Sequence, residues 1–141
     1  FNAFLPPGGS YKDLDVWWDA LEDYLTSTIF RFPHSLVLLA GDLNARTVGN
    51  WETLVASRWW VGPNNDDHPL ETIKGRVSKD LKVDKAGTNL ALLTVKLDLF
   101  PLNGRCAPDV PGEFTHLAKN GNSTIDYALL PYIVSFKVDD M

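Results

Sequence analysis

The chain has 141 residues, a formal net charge of −5 and 45% hydrophobic residues, among them five Trp and seven Phe. That length suits one domain, able to bury about 70% of its unfolded surface, and the composition excludes a disordered segment. The acidic balance argues against a strong autonomous DNA-binding module, because phosphate contacts supply most nucleic-acid affinity. A local basic patch around Arg76, Lys79, Lys82 and Lys85 stays open. The single cysteine, Cys106, allows no internal disulfide and fits a reducing, intracellular setting. It sits in Gly104-Arg105-Cys106-Ala107-Pro108, which reads as a loop with no base nearby, not as a nucleophile. No apolar run approaches the roughly 18 residues of a membrane span, so no membrane association is expected.

The chain opens on an apolar stretch, Phe1-Asn2-Ala3-Phe4-Leu5, that reads as a strand stopped by Pro6-Pro7-Gly8-Gly9. Both ends read as cuts within a longer polypeptide. Ser10 or Asp13 can cap the following helix. Its stripe is Leu14, Trp17, Trp18, Leu21, Leu25 and Ile29, the spacing of one helical face, with Asp15, Asp19, Glu22 and Asp23 largely opposite. Pro33 ends it.

Leu36-Val37-Leu38-Leu39-Ala40 is a continuous apolar run and predicts a strand buried on both faces. Residues 45–75 form a long polar connection carrying Trp51, Trp59 and Trp60. Ala86, Leu90, Leu93 and Leu97 then predict a second helix, with Asp84 as its cap. Leu99 to Leu102 predicts a short strand closed by Asn103-Gly104, and Pro101 places it at an edge. Thr124 to Leu130 and Ile133 to Val138 predict two more strands joined at Pro131. The order β-α-β-loop-α-β-β-β argues for an α/β sandwich with sheet inside and helices outside.

Two clusters can carry chemistry. In Gly41-Asp42-Leu43-Asn44, Asp42 and Asn44 point the same way on extended backbone. A carboxylate can orient or deprotonate a water, and an amide can donate to a phosphoryl oxygen without adding negative charge. The plainer reading is a strand-ending Asp/Asn turn. The second cluster is Phe114-Thr115 with Ser123-Thr124-Ile125-Asp126-Tyr127. Asp126 lies inside an apolar run, which predicts a buried carboxylate needing a partner, such as a catalytic histidine that it orients. The plainer reading is a structural, hydrogen-bonded Asp. Thr115, Ser123 and His116 are candidate substrate contacts. Asp66-Asp67-His68-Pro69 reads as a solvated turn, and His34 as a loop residue.

Taken together and in this order, these segments resemble the endonuclease/exonuclease/phosphatase family. The resemblance is nearest to the apurinic-type endonuclease domains of non-LTR retrotransposons and their domesticated relatives. It is carried by Phe4-Leu5-Pro6-Pro7, by Leu39 to Arg46, by Arg76 to Asp80 through Gly87 and Leu90, by Leu102-Asn103-Gly104-Arg105, and by Phe114-Thr115 with Ser123 to Tyr127. It implies a four-layer α/β sandwich, two packed mixed sheets flanked by helices, incomplete in this chain. It implies Mg²⁺-dependent hydrolysis of the DNA phosphodiester backbone in a nuclear setting. In that scheme Asp42, Asn44 and Asp126 are catalytic: Asp42 activates or positions water, Asn44 orients it and the phosphate, and Asp126 orients a histidine. Asp42 and Asn44 are possible metal contacts, with the principal metal ligand expected before Phe1 and a final Ser-Asp-His motif after Met141. Phe4 stands where the family usually has Tyr. Two other readings accompany this one: a non-catalytic interaction module that kept the fold, and a phosphatase of the same fold. A cut through the first sheet leaves open edges at Phe1–Leu5 and Ile133–Val138, so self-association is expected, with Trp17 and Trp18 partly uncovered.

Overall fold

The first helix, α1 (Tyr11–Arg31), turns its predicted stripe inward. Trp18 and Leu25 are buried, and Leu14, Trp17, Leu21 and Ile29 pack against the core. Trp18 is therefore covered, contrary to expectation, with Trp17 set against it edge to face at 4.9 Å between ring centroids. Asp13 lies in the first turn, where its charge meets the positive end of the helix dipole. Arg31 is the last helical residue, just before Pro33, which lacks the N–H a further turn needs. The computed structural model describes residues 1–6, 11–47, 76–105 and 107–131. The predicted cap Ser10, the tryptophans of the long connection, Asp66 to Pro69, Cys106 and the strand expected at Ile133–Val138 lie outside the described residues.

Three strands, β1 (Leu39–Asp42), β2 (Leu99–Pro101) and, last among the described residues, β5 (Asp126–Pro131), form an antiparallel sheet in the order β1-β5-β2. The opening segment lies along the outer edge of β1 in parallel. Ala3 N donates to Ala40 O, Leu5 N to Asp42 O and Ala40 N to Phe1 O, each at 2.9 Å. Gly41 sits where this segment comes closest: its φ is +142°, and a Cβ there would lie 1.9 Å from Ala3 O.

The run Leu36 to Ala40 departs from expectation. Val37 and Leu39 are buried, while Leu36 is 68% and Leu38 49% exposed. The reason is that side chains alternate along extended backbone, and the core gathers on one face of the sheet. On that face Leu39, Tyr127 and Leu129 meet Trp18 and Leu25 of α1 and Ala86, Leu90 and Leu93 of the second helix. That helix, α2 (Lys85–Leu97), starts as predicted: the Asp84 carboxylate accepts from Gly87 N at 2.7 Å. It ends at Asp98, whose φ of +52° lets its N–H reach back to Thr94 O and Val95 O. Lys85 pairs with Asp15 and Lys96 with Glu22, joining the two helices at the surface.

A second, two-stranded sheet was not expected. Strands β3 (His116–Ala118) and β4 (Gly121–Ser123) form a hairpin almost entirely exposed. Its only sequence signal is Asn120-Gly121, a pair that suits tight turns. No apolar alternation announces it, because neither face of it is buried. The predicted strand at Thr124 likewise starts later, at Asp126. The described residues are thus mixed α and β, two small antiparallel sheets with helices.

What ties the loops to this frame is Asp80, 1% exposed. Its carboxylate accepts from Arg46 Nε at 2.9 Å and Nη2 at 2.7 Å, from Lys82 N at 3.1 Å and from Thr124 N at 3.0 Å. Arg46 leads out of β1, and Thr124 leads into β5. Nearby, the buried Tyr127 hydroxyl lies 2.8 Å from Ala45 O, 3.0 Å from Thr124 O and 2.8 Å from Thr47 Oγ1, closing the same junction. Burial pushes the Asp80 carboxyl up, but the Arg46 guanidinium and the two backbone amides pull harder, and it is held below the usual carboxylate range.

Replacing Asp80 by Ala strands a guanidinium and two backbone donors, and should cost about 3–5 kcal/mol in urea unfolding. Lys96→Ala, which removes an exposed pair, should cost about 1 kcal/mol or less. The depressed Asp80 carboxyl also sets a sign for pH. Its contribution is full above the ordinary carboxylate pKa and is lost as pH falls through the lower folded value. The urea midpoint should therefore drop on acidification below about pH 4, and drop less in Asp80→Asn.

Candidate functional site

Antiparallel pairing sets the site. In the β1–β5 register, Asp42 is the partner of Asp126 and Gly41 that of Tyr127. Leu43 N donates to Ile125 O at 2.9 Å, so the hydrogen-bonded pairs fall on either side of Asp42 and Asp126. These two form a non-hydrogen-bonded pair, the kind in which Cα atoms stand only about 4.5 Å apart and side chains are closest. Tyr127 and Leu129 point into the core, so Asp42 and Asp126 point out of the opposite face. Two carboxylates nominated from separate motifs thus stand side by side.

Asn44 completes the group. Its backbone N–H donates to Asp42 Oδ1 at 3.0 Å, and its Nδ2 donates to Leu5 O at 2.5 Å. Its φ of +41° is the left-handed region that Asn tolerates better than most residues. The strand-ending turn is therefore real. It uses one Asp42 oxygen and the Asn44 backbone N–H, while the amide spends one N–H on Leu5 O and keeps its second N–H and its oxygen for another partner.

Asp126 differs from expectation in one respect. It is half-buried, not buried, because its place in the strand alternation puts it on the face away from the helices. Its backbone is gripped from two directions. Asp126 N donates to Thr115 Oγ1 at 3.1 Å, and Asn103 Nδ2 donates to Asp126 O at 3.0 Å.

The three candidate substrate contacts gather at the base of the hairpin beside Asp126. Thr115 N donates to Ser123 O at 3.1 Å, and His116 is the register partner of Ser123. His116 is exposed and Ser123 half-buried. Thr115 Oγ1 accepts from both Ile125 N and Asp126 N, so only its proton remains to give. Arg46 Nη2 reaches Asn122 O at 3.2 Å and holds the hairpin to the same frame.

The basic patch that the sequence left open is broken up at three of its four residues. Arg76 is buried, donating from Nε to Asn103 O at 3.0 Å and from Nη1 to Thr47 Oγ1 at 2.8 Å, with its guanidinium 5.6 Å from the Tyr127 ring centroid. Lys79 pairs with Glu113 and Lys85 with Asp15. His34 is an exposed loop residue, as read. Sequence reasoning missed the parts played by Asn103 and Asp80. Asn103 read as a turn former and as part of the resemblance, and Asp80 only as part of the resemblance.

Asp42, Asp126 and the Asn44 amide oxygen are hard oxygen donors, the chemistry Mg²⁺ prefers. Among the described residues, no three His, Cys, Asp or Glu side chains come together as a metal group. No helix among them is long and apolar enough to cross a membrane. No family model, curated protein or solved structure matches the chain.

Like charges directly opposite on neighbouring strands destabilise a sheet. Asp126→Asn removes one of them while keeping shape, and should raise the unfolding free energy by up to about 1 kcal/mol. A urea midpoint shifted downward would instead make the Asp126 carboxylate a structural acceptor.

Proposed function

We propose that this chain contributes part of the site of a Mg²⁺-dependent phosphodiesterase that nicks the DNA backbone, within a sandwich fold of the endonuclease/exonuclease/phosphatase type. The observation that carries this reading is the pairing of Asp42 with Asp126. Like charges directly opposite on neighbouring strands lower stability, and one or two carboxylates are the usual protein contribution to a Mg²⁺ site. Asp42 would hold the attacking water and take its proton, while Asn44 steadies the phosphate through its remaining N–H. Asp126 would hold an imidazole in one orientation by accepting its ring N–H. The oxygen donors fit Mg²⁺ in kind, though they make only part of a set; when bound, the ion would neutralise phosphate charge.

The second layer of the sandwich has a natural place on the outward face of the sheet. Phe4 is 60%, Leu38 49% and Leu36 68% exposed. Open apolar surface next to strand edges also favours self-association.

One observation favours the non-catalytic alternative. One Asp42 oxygen already serves the local turn, and one N–H of the Asn44 amide already holds Leu5 O of the opening segment. Both readings meet the same assay on supercoiled plasmid with Mg²⁺, using the full-length protein that carries this segment. Hydrolysis predicts nicking that a chelator stops and that Asp42→Asn or Asp126→Asn each lowers about a hundredfold or more. Nicking unchanged in both variants would sink the catalytic assignment. Release of inorganic phosphate from small phosphoesters, without nicking, would turn the reading to a phosphatase.

A further inference from the structure

In the β1–β5 ladder, Asp126 belongs to a non-hydrogen-bonded pair, so its N–H and C=O point away from β1 toward the β2 side. There β2 is already ending: Leu102 N still reaches Ala128 O at 2.8 Å, after which the chain turns at Gly104, whose φ is +72°. Without replacements, Asp126 would be the first residue of its strand with both backbone groups at an open edge. That end of the strand would then fray.

Two side chains take the place of the missing strand. The Asn103 amide has the donor and acceptor of a peptide group, and uses both. Its Nδ2 donates to Asp126 O at 3.0 Å and its Oδ1 accepts from Ala128 N at 3.2 Å, so the ladder continues through a side chain. Thr115 Oγ1 accepts from Ile125 N at 3.0 Å and Asp126 N at 3.1 Å. Asn103 is itself held, since its carbonyl accepts from the buried Arg76 Nε at 3.0 Å. Both backbone groups of Asp126 are thus fixed by side chains from separate loops.

We propose that Asn103 and Thr115 are positioning residues that hold the Asp126 carboxylate opposite Asp42. The proposal rests on the hydrolytic reading above for its consequence, though the clamp itself is a matter of geometry. It assigns Thr115 to holding Asp126 in place of touching substrate, and gives Asn103 a part that its turn position does not suggest. A displacement of about 1 Å in a reacting group can cost a hundredfold in rate.

The test uses the full-length protein and three variants: Asn103→Ala, Thr115→Val and Thr115→Ser. Thr115→Val keeps shape and loses the hydroxyl; Thr115→Ser keeps the hydroxyl. Steady-state nicking of duplex DNA should show kcat lowered about tenfold to a hundredfold in the first two at unchanged KM, with Thr115→Ser close to the parent. Hydrogen exchange of residues 124–128 should quicken in Asn103→Ala and Thr115→Val and return to the parent rate in Thr115→Ser. A raised KM at unchanged kcat in Thr115→Val would make Thr115 a substrate contact and overturn its assignment. Exchange unchanged in Asn103→Ala and Thr115→Val would overturn the clamp. If the parent protein hydrolyses nothing, the hydrolytic reading fails and takes the catalytic consequence with it. Exchange rescued by Thr115→Ser would then still support the clamp.

Discussion

The Asp80 carboxylate is the constraint on which the described structure depends. It is almost fully buried, and it binds the residue that leaves β1, the residue that enters β5 and its own following loop. An isolated charge in that position would be prohibitive, so the arrangement holds only while every acceptor lobe is occupied. The bidentate fork of Arg46 supplies direction as well as charge, which a lysine would not. Arg46 is fixed in turn by α2: its N–H donates to Asp84 Oδ1 at 3.1 Å, and its carbonyl accepts from Asp84 N at 3.1 Å. One carboxylate caps the helix and pins the arginine that satisfies the other.

This frame explains why the candidate site can exist. Asp42 and Asp126 carry like charge, so their pairing has to be imposed from elsewhere in the fold. They face one another because β1 and β5 are held in register by the inward contacts of Leu39, Tyr127 and Leu129 and by the polar junction at Arg46, Asp80 and Thr124. Sliding β5 by one residue would send Tyr127 and Leu129 outward, a penalty larger than the repulsion. Hydrophobic burial on one face of the sheet thereby sets the relation of two charges on the other. The Gly41 backbone adds to it, since only a residue without a Cβ lets the opening segment close against β1.

Much of the helical structure was legible. The α1 and α2 stripes follow a 3.6-residue period, and the Asp84 cap is a local side-chain to backbone bond. Such features depend on residues within a turn or two of each other. Strands β2 and β5 were legible in position, whereas β1 runs Leu39–Asp42, later than the predicted Leu36–Ala40. The run Leu36 to Ala40 is apolar throughout, and composition does not say which face the helices will cover. The hairpin at His116 to Ser123 was not legible, because its exposed faces leave no pattern. The burial of Asp126 was misjudged for the same reason as that of Leu38: both were read from apolar neighbours in sequence, whereas alternation sends adjacent strand residues to opposite faces.

By itself, then, the sequence determined the helices, the Asp84 cap and the identity of the chemical groups at Asp42, Asn44 and Asp126, because these rest on short-range periodicity and residue chemistry. Only the tertiary structure decided that Asp42 and Asp126 are cross-strand partners, that Asp80 is the buried hub, and that Asn103 and Thr115 grip the Asp126 backbone. Those relations join residues far apart in the chain, and their geometry follows from strand register and one-sided burial, which no local window of sequence encodes.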